Sequence, residues 1–526
     1  MTLFRLPIIW RYLLIIWLIA TLFNINKAYH IDDTFHLEAA ESIKANPTHP
    51  LSGLINWDDS PKPMYKHNQP PLLFYIISLH SMIFGNSELA MHLLLSIFSF
   101  LSLFYFLKLL ELFNINEKKS LLMLLGFSPA FIVNQNLMTD IPVLSILLAM
   151  NYYLIRGQIN NRFKDYLIAS FLISIGLLIK YSILPFLIVI CLTAVLSKQL
   201  KNILAITLPV IVLSLWSLWN KYEFGNIHMF SRPKIIFNYE LIFAFLGTLG
   251  SISVFSLLYA RPILFKNRIF TIVSFLSLII IMGVIQYIFF DDMLLEHIMS
   301  SIFITNGILI FAVILIKVIQ LFIKNKLAFL SSPSLVLLLG IAGISLFIII
   351  FAPFNATRHV LIIIPLILLF LDNHIPIKKG RITTFIISAN IILGILLAIS
   401  DWNYANFYRK KAKEIKVTNE KYWSFGHWGW QWYSKKAGMT IYSTSDRTKL
   451  KKGDFVILPK YVAKQQLPKG IELEIVKLYI HQPSIFTFFS VHNGRFYNSS
   501  LKKPSWTFSS KSYDTIFQFR VKGIVN

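Results

Sequence analysis

An acidic pair opens a polar stretch near the start of the chain, Tyr29-His30-Ile31-Asp32-Asp33-Thr34-Phe35-His36-Leu37-Glu38. On a helix starting here Asp32 and His36 share a face at i,i+4, while Asp33 points about 100° away. A carboxylate so placed can take a proton from a hydroxyl, or it can cap the helix and sit in water. The stretch closes with Pro61-Lys62-Pro63-Met64-Tyr65-Lys66-His67-Asn68-Gln69-Pro70-Pro71, where prolines stop helices and stiffen turns. Lys62, Lys66 and His67 can there meet an anion at headgroup depth, or form a basic loop lying on a membrane. Three more ionisable groups stand at the ends of apolar runs: Asp140 in Met138-Thr139-Asp140-Ile141-Pro142, Lys180 beside Tyr181, and Arg358 in Phe354-Asn355-Ala356-Thr357-Arg358-His359. Charges beside lipid are costly and so are functional candidates; helix capping for Asp140 and snorkelling for Lys180 are the plainer readings.

The elements that must position these groups are membrane helices. The chain of 526 residues is 56% hydrophobic and 14% charged, with a mean hydropathy of +0.62, against roughly 25% charged residues in a soluble domain. Runs such as 274–290 and 335–351 approach the ~20 apolar residues that cross a bilayer. The formal charge of +25 does not imply nucleic acid, because much of it lies in short basic linkers that orient helices. Linkers 117–119, 156–164, 198–201, 261–268, 324–326 and 378–381 read as cytoplasmic. The segments between them, 24–88, 135–140, a turn near Lys180, 220–240, 291–297 and 353–359, then face outside. The alternation predicts about 13 spans with the N-terminus inside and the C-terminus outside. The first apolar run, 12–23, is read as an uncleaved span. The single cysteine, Cys191, lies within an apolar run and has no internal disulfide partner.

Beyond residue 400 the long apolar runs stop and lysine and arginine become frequent. Short β-rich segments, 454–458, 471–480 and 515–521, predict a small soluble α/β domain over 401–526. The aromatic cluster 423–432 suits its first helix, packed in its core or against the membrane surface. Residues 1–400 form the membrane domain, with 24–88 as its long outer loop.

Taken in order, these fragments resemble the GT-C glycosyltransferases that use polyprenyl-phosphate sugars, in particular the protein O-mannosyltransferase family (glycosyltransferase family 39) and the lipid A aminoarabinose transferases. The resemblance is carried by Asp32-Asp33, where relatives usually have Asp-Glu, by Pro70-Pro71-Leu72-Leu73-Phe74-Tyr75, and by Phe84-Gly85-Asn86-Ser87-Glu88. It continues through Thr139-Asp140-Ile141-Pro142, Lys180-Tyr181, Arg358 followed by Pro365, and His427-Trp428-Gly429-Trp430-Gln431-Trp432-Tyr433-Ser434. It implies a GT-C membrane domain and an inverting transfer of one sugar to an acceptor at the outer face of a bacterial inner membrane, with the C-terminal domain periplasmic. By it Asp32 is the general base, Asp33 a second candidate, and Asp140 the second acid. Lys180 and Arg358, with Lys62 or Lys66, would bind the donor phosphate. His36, His67 and Tyr181 would line the acceptor side.

The implied partners are a polyprenyl-phosphate sugar, membrane lipid, and a protein, lipid A or glycan acceptor. No H-E-x-x-H, CxxC, G-x-G-x-x-G or P-loop pattern is present, so no cofactor is implied, although Asp32, Asp33, His36, His67 and Asp140 leave a divalent metal open. Two other classes compete. A lipid flippase or transporter would hold its ionisable groups near mid-membrane on broken helices. A polysaccharide polymerase or ligase would place its large loop late in the chain, whereas here it comes first.

Overall fold

The computed structural model describes residues 7–66, 69–231, 238–264, 266, 268–289, 293–490 and 494–524. His67, expected to line the site, lies outside them. Helix α1 (Ile8–Asn24) leads into the first loop, which carries α2 (Asp33–Ala45), the short hairpin β1 (Leu54–Ile55) and β2 (Lys62–Pro63), and α3 (Leu72–Phe84). Next come α4 (Glu88–Leu112), α5 (Lys118–Gly126), α6 (Pro129–Val133), α7 (Asp140–Asn160), α8 (Phe163–Leu177), α9 (Pro185–Leu196) and α10 (Thr207–Phe224). The bundle is completed by α11 (Glu240–Ser251), α12 (Ser256–Leu264), α13 (Arg268–Phe289), α14 (Leu294–Asn325), α15 (Pro333–Phe351), α16 (Thr357–Leu361), α17 (Ile364–His374) and α18 (Arg381–Glu414).

Local chemistry sets several of these boundaries. Ser87 and Ser128 start α4 and α6, each accepting a hydrogen bond at 3.2 Å from the amide three residues on, at Ala90 and Phe131. Pro185 and Pro333 occupy first-turn positions of α9 and α15, where the missing N–H is no loss. Gly225, at φ 73°, closes α10 in the left-handed region that glycine adopts without a Cβ clash.

The chain is a multi-pass membrane protein. Among the described residues seven helices are long and apolar enough to cross a bilayer, or eight if the pair α11 and α12, bent by 98°, counts as one span. Helix length and composition thus account for seven or eight of the expected thirteen. Other expected spans fall on shorter apolar helices such as α1, or on the broken pair α5 and α6. Lipid must cover what protein does not: α13 buries only Ile285 within its 22 residues.

The tail carries a five-stranded sheet built from β3 (Tyr422–Ser424), β4 (Thr440–Ile441), β5 (Phe455–Pro459), β6 (Ile471–Ile480) and β7 (Thr515–Ile524), in the order β4-β3-β5-β7-β6. Strand β3 runs parallel to β4 and β5, and α19 (Trp428–Lys436) makes the crossover from β3 to β4. Strand β7 pairs antiparallel with β5 and β6. The expected α/β tail on a helical membrane domain is therefore what the chain forms. The boundary expected at 401 falls inside α18, which continues unbroken to Glu414. The tail is also not detached from the bundle. Leu501 packs with Ile285 and Ile304, and the Trp506 indole donates to the Ser251 carbonyl at 2.8 Å.

Helices α11 and α14 cross at glycines. A Cβ on Gly250 would stand 1.9 Å from the Phe303 carbonyl oxygen, and one on Gly307 2.2 Å from that of Leu246. Small residues allow this backbone approach where no hydrophobic effect draws helices together. Gly250→Val is expected to cost about 1–3 kcal/mol through overpacking, lowering the thermal unfolding midpoint in nanodiscs. Gly283→Val on α13, where a Cβ meets nothing within 4 Å, should leave it unchanged.

Candidate functional site

The first loop begins with a strained turn. Ile31 has φ 48°, a left-handed conformation costly for a β-branched residue. The turn is closed by the Asp33 amide donating to the His30 carbonyl at 3.1 Å and by the His30 amide donating to Asp33 Oδ2 at 2.7 Å. This geometry sends the two acids in different directions. Asp33 is fully buried, whereas the Asp32 side chain keeps 24% of its surface and faces a cavity of about 880 Å³. That volume is in the range of small-molecule sites.

The cavity collects helix ends around Asp32. Asp140 comes from the first turn of α7, Lys180 and Tyr181 from the turn after α8, and Arg358 and His359 from α16. Arg358 Nη2 lies 2.8 Å from Asp32 Oδ2 and its Nε 3.6 Å from Asp140 Oδ2, while Lys180 Nζ lies 2.5 Å from Asp140 Oδ1. Two acids and two cations thus alternate in one chain, with Asp140 and Arg358 almost wholly removed from solvent. Buried charges persist only when paired in this way.

His36, on the α2 face shared with Asp32, places Nδ1 2.8 Å from the Asp32 carbonyl and lines the cavity. Tyr181 also lines it and accepts from the Trp216 indole at 2.9 Å. Lys66 ends a turn anchored by the Met64 and Tyr65 amides, which donate to Gly53 and Leu51 at 2.8 and 3.0 Å. Its side chain reaches the cavity and makes no ion pair among the described residues. Lys62, expected as an alternative phosphate ligand, is not on the wall; on β2 it pairs with Asp58 at 2.8 Å, half exposed. Asp33, expected beside Asp32, is also absent from the wall and ties the turn instead.

Other wall residues carried no signal in the sequence. Leu241, Ala244, Phe347, Ile348, Phe351 and Ala352 form an apolar side from α11 and α15. Asn498 to Leu501 bring the tail into the wall, held where the Ser499 amide donates to the Asn355 carbonyl at 2.7 Å and the Thr357 amide to that of Phe496 at 3.2 Å. Trp57, Gln69 and Glu240 also line the cavity. Trp57, in Asn56-Trp57-Asp58-Asp59, is the one of these that its isolation in a polar loop could have flagged.

Behind the wall a second buried pair, Lys27 Nζ to Asp401 Oδ2 at 2.9 Å, joins the first loop to α18. The Tyr497 hydroxyl donates to Asp401 Oδ1 and accepts from Asn136 Nδ2, both at 2.8 Å, and its ring lies 6.0 Å from the Arg358 guanidinium. Helix α19 presses on the loop from the tail: a Cβ on Gly429 would stand 2.2 Å from the Tyr29 carbonyl oxygen, so only glycine fits. Among the described residues no group of three or more His, Cys, Asp or Glu side chains is placed to hold a metal.

Apolar helices closed by a sheet-bearing tail over a chamber of paired acids and cations define the class: a multi-pass membrane protein with a charged chamber at its helix ends. Residues 68–219 match the model of the dolichyl-phosphate-mannose-protein mannosyltransferase family, so the resemblance read in the sequence holds there. The matched segment contains Asp140 and Lys180 but neither Asp32 nor Arg358. Among solved structures, apo ArnT from Cupriavidus metallidurans is 12% identical with a TM-score of 0.41, over 84% of this chain and 90% of that one. The apo oligosaccharyltransferase of Archaeoglobus fulgidus is 13% identical with a TM-score of 0.48, over 84% of this chain and 65% of that one. ArnT bound to undecaprenyl phosphate is 11% identical with a TM-score of 0.40, over 86% and 92%. No curated protein matches the chain.

Burial pushes the Asp33 carboxyl up from 3.8 to about 7, against the lowering effect of the His30 amide. Burial pushes the His30 imidazole down from 6.5 to about 4. The two oppose each other in stability. The raised acid contributes stability that is lost as pH rises from about 4 through 7, and the lowered histidine contributes stability lost as pH falls from 6.5 toward 4. Asp33→Asn isolates the first effect. The unfolding midpoint of the wild type, relative to this variant at the same pH, is expected to fall between pH 4 and 7.

Proposed function

We propose that the protein is an inverting glycosyltransferase that moves one sugar from a polyprenyl-phosphate donor to a hydroxyl acceptor, with the chamber at the outer membrane boundary. The observation that carries this reading is the alternating chain Asp32, Arg358, Asp140, Lys180 beside an apolar wall in one cavity. The match of residues 68–219 to a family of lipid-phosphate-sugar transferases supports it. A polyprenyl-phosphate sugar needs these parts together: cations for the phosphate, an apolar side for the lipid, and a carboxylate for the acceptor.

In this mechanism the donor phosphate competes with Asp32 and Asp140 for Arg358 and Lys180, and Lys66 adds a cation of its own. Charge builds on the phosphate as its bond to the anomeric carbon breaks, and fixed cations stabilise that charge. Loss of the Arg358 contact leaves Asp32 free to accept a proton. The acceptor oxygen attacks the anomeric carbon from the face opposite the phosphate, its proton passes to Asp32, and polyprenyl phosphate departs with the bonding electrons. One displacement inverts the configuration. Asp140 holds Lys180 and Arg358 in register, and Asp33 positions Asp32 through the His30 turn.

A flippase is disfavoured by the gathering of ionisable groups at helix ends that also meet the tail, instead of at breaks in mid-span. Sugar transfer by purified protein in nanodiscs, using short-chain polyprenyl-phosphate sugars, tests the reading. Asp32→Asn should lower turnover by about 10²–10⁴-fold while donor binding persists. Undiminished turnover in Asp32→Asn, Asp33→Asn and the double variant would sink the carboxylate mechanism. The two lysines of the loop should separate: Lys66→Ala is expected to raise the donor KM, and Lys62→Ala to leave kinetics unchanged.

A further inference from the structure

Cations and an apolar wall recognise a lipid phosphate, and Asp32 recognises a hydroxyl, but neither recognises a sugar. Among the described residues Trp57 is the tryptophan that lines the chamber, as His36, Lys66 and Gln69 also do. It is half-buried, and among the described residues its indole N–H has no hydrogen-bond partner. A pyranose ring carries C–H groups on its faces and hydroxyls on its rim. An indole complements both, with an electron-rich face for the C–H groups and an N–H for a hydroxyl.

The ring is also held in place before any ligand arrives. Phe35 meets it edge-to-face at 5.6 Å between centroids, and the His427 ring of the tail stands 5.8 Å away. Its loop is pinned to the tail at three points. Asn56 Nδ2 donates to the Tyr442 carbonyl at 3.0 Å, the Thr444 amide to the Asp59 carbonyl at 2.8 Å, and the Gln466 amide to Asp59 Oδ1 at 2.8 Å. Phe35 is followed directly by His36, which is bonded to the Asp32 backbone. The indole is therefore coupled through two adjacent residues to the turn that carries the proposed base. Preorganisation of this kind reduces the ordering cost of binding.

We propose that Trp57 is a stacking platform for a sugar ring, supplied by the donor or by a glycan acceptor, and so a specificity-determining residue of the chamber. The proposal rests on the transfer reading for the source of the ring. In nanodiscs, with a panel of short-chain polyprenyl-phosphate sugars as donors and water or free oligosaccharide as acceptor, Trp57→Ala should lower kcat/KM for the donor that turns over by about tenfold or more, and Trp57→Phe should restore most of it.

A raised donor KM assigns the ring to the donor. A raised oligosaccharide KM with unchanged donor hydrolysis assigns it to the acceptor. Wild-type kinetics in Trp57→Ala on both arms would overturn the platform while leaving the transferase reading in place. If the wild type turns over none of the donors in the panel, the transferase reading fails, and titration of tryptophan fluorescence with mannose, arabinose and N-acetylglucosamine decides the platform. A saturable sugar response that disappears in Trp57→Phe upholds it, and identical responses in the two proteins refute it.

Discussion

The Arg358 guanidinium between Asp32 and Asp140 is the contact on which the rest of the chamber depends. Arginine suits the place because its planar fork can engage two carboxylates at once and its charge survives burial. Removing either partner of such a pair leaves an uncompensated charge, at a cost of about 3–5 kcal/mol. Lys180 completes the chain on Asp140, so the four groups hold one another through direct ion pairs. They come from the first loop, the start of α7, the end of α8 and α16, and their pairing brings sequence-distant helix ends to one place.

The tail belongs to the same construction. It contributes Asn498 to Leu501 to the wall, pins the Trp57 loop, and sets Tyr497 between Asp401 and Arg358. The Tyr433 hydroxyl accepts from the Tyr29 amide and donates to Glu88, both at 2.8 Å, and the Gln431 amide donates to Glu38 at 2.8 Å. The Tyr29 amide, Glu38 and Glu88 of the first loop thus find their partners on the tail, as buried polar groups must find partners somewhere. A single fold unit, and not a chamber with an appended domain, is the economical description.

Much of this was legible in the chain. Runs of apolar residues gave the helices, and ionisable groups at their ends gave Asp32, Asp140, Lys180 and Arg358, because a charge beside lipid has few reasons to be there. Residues one or four apart in a turn were harder. Lys62 and Lys66 look alike as sequence, and only the hairpin that pairs Ile55 with Lys62 and the turn that follows decide which reaches the chamber. Asp33 is told from Asp32 by a backbone reversal at Ile31 that no side-chain pattern announces. The contribution of Asn498 to Leu501 had no signal at all, since it arises from packing across more than a hundred residues of chain.

Helix α18 runs for 34 residues, a rod of about 50 Å at ~1.5 Å per residue, and Asp401 sits on it where bundle gives way to tail. Such a rod transmits rotation as well as position. Adding one residue ahead of Asp401 would turn everything beyond it by ~100° and lift it by ~1.5 Å, carrying the Lys27 partner and the tail contacts out of phase together. A whole added turn would restore the rotation but still lift the tail by ~5.4 Å, so the length of this rod is set by contacts at both of its ends.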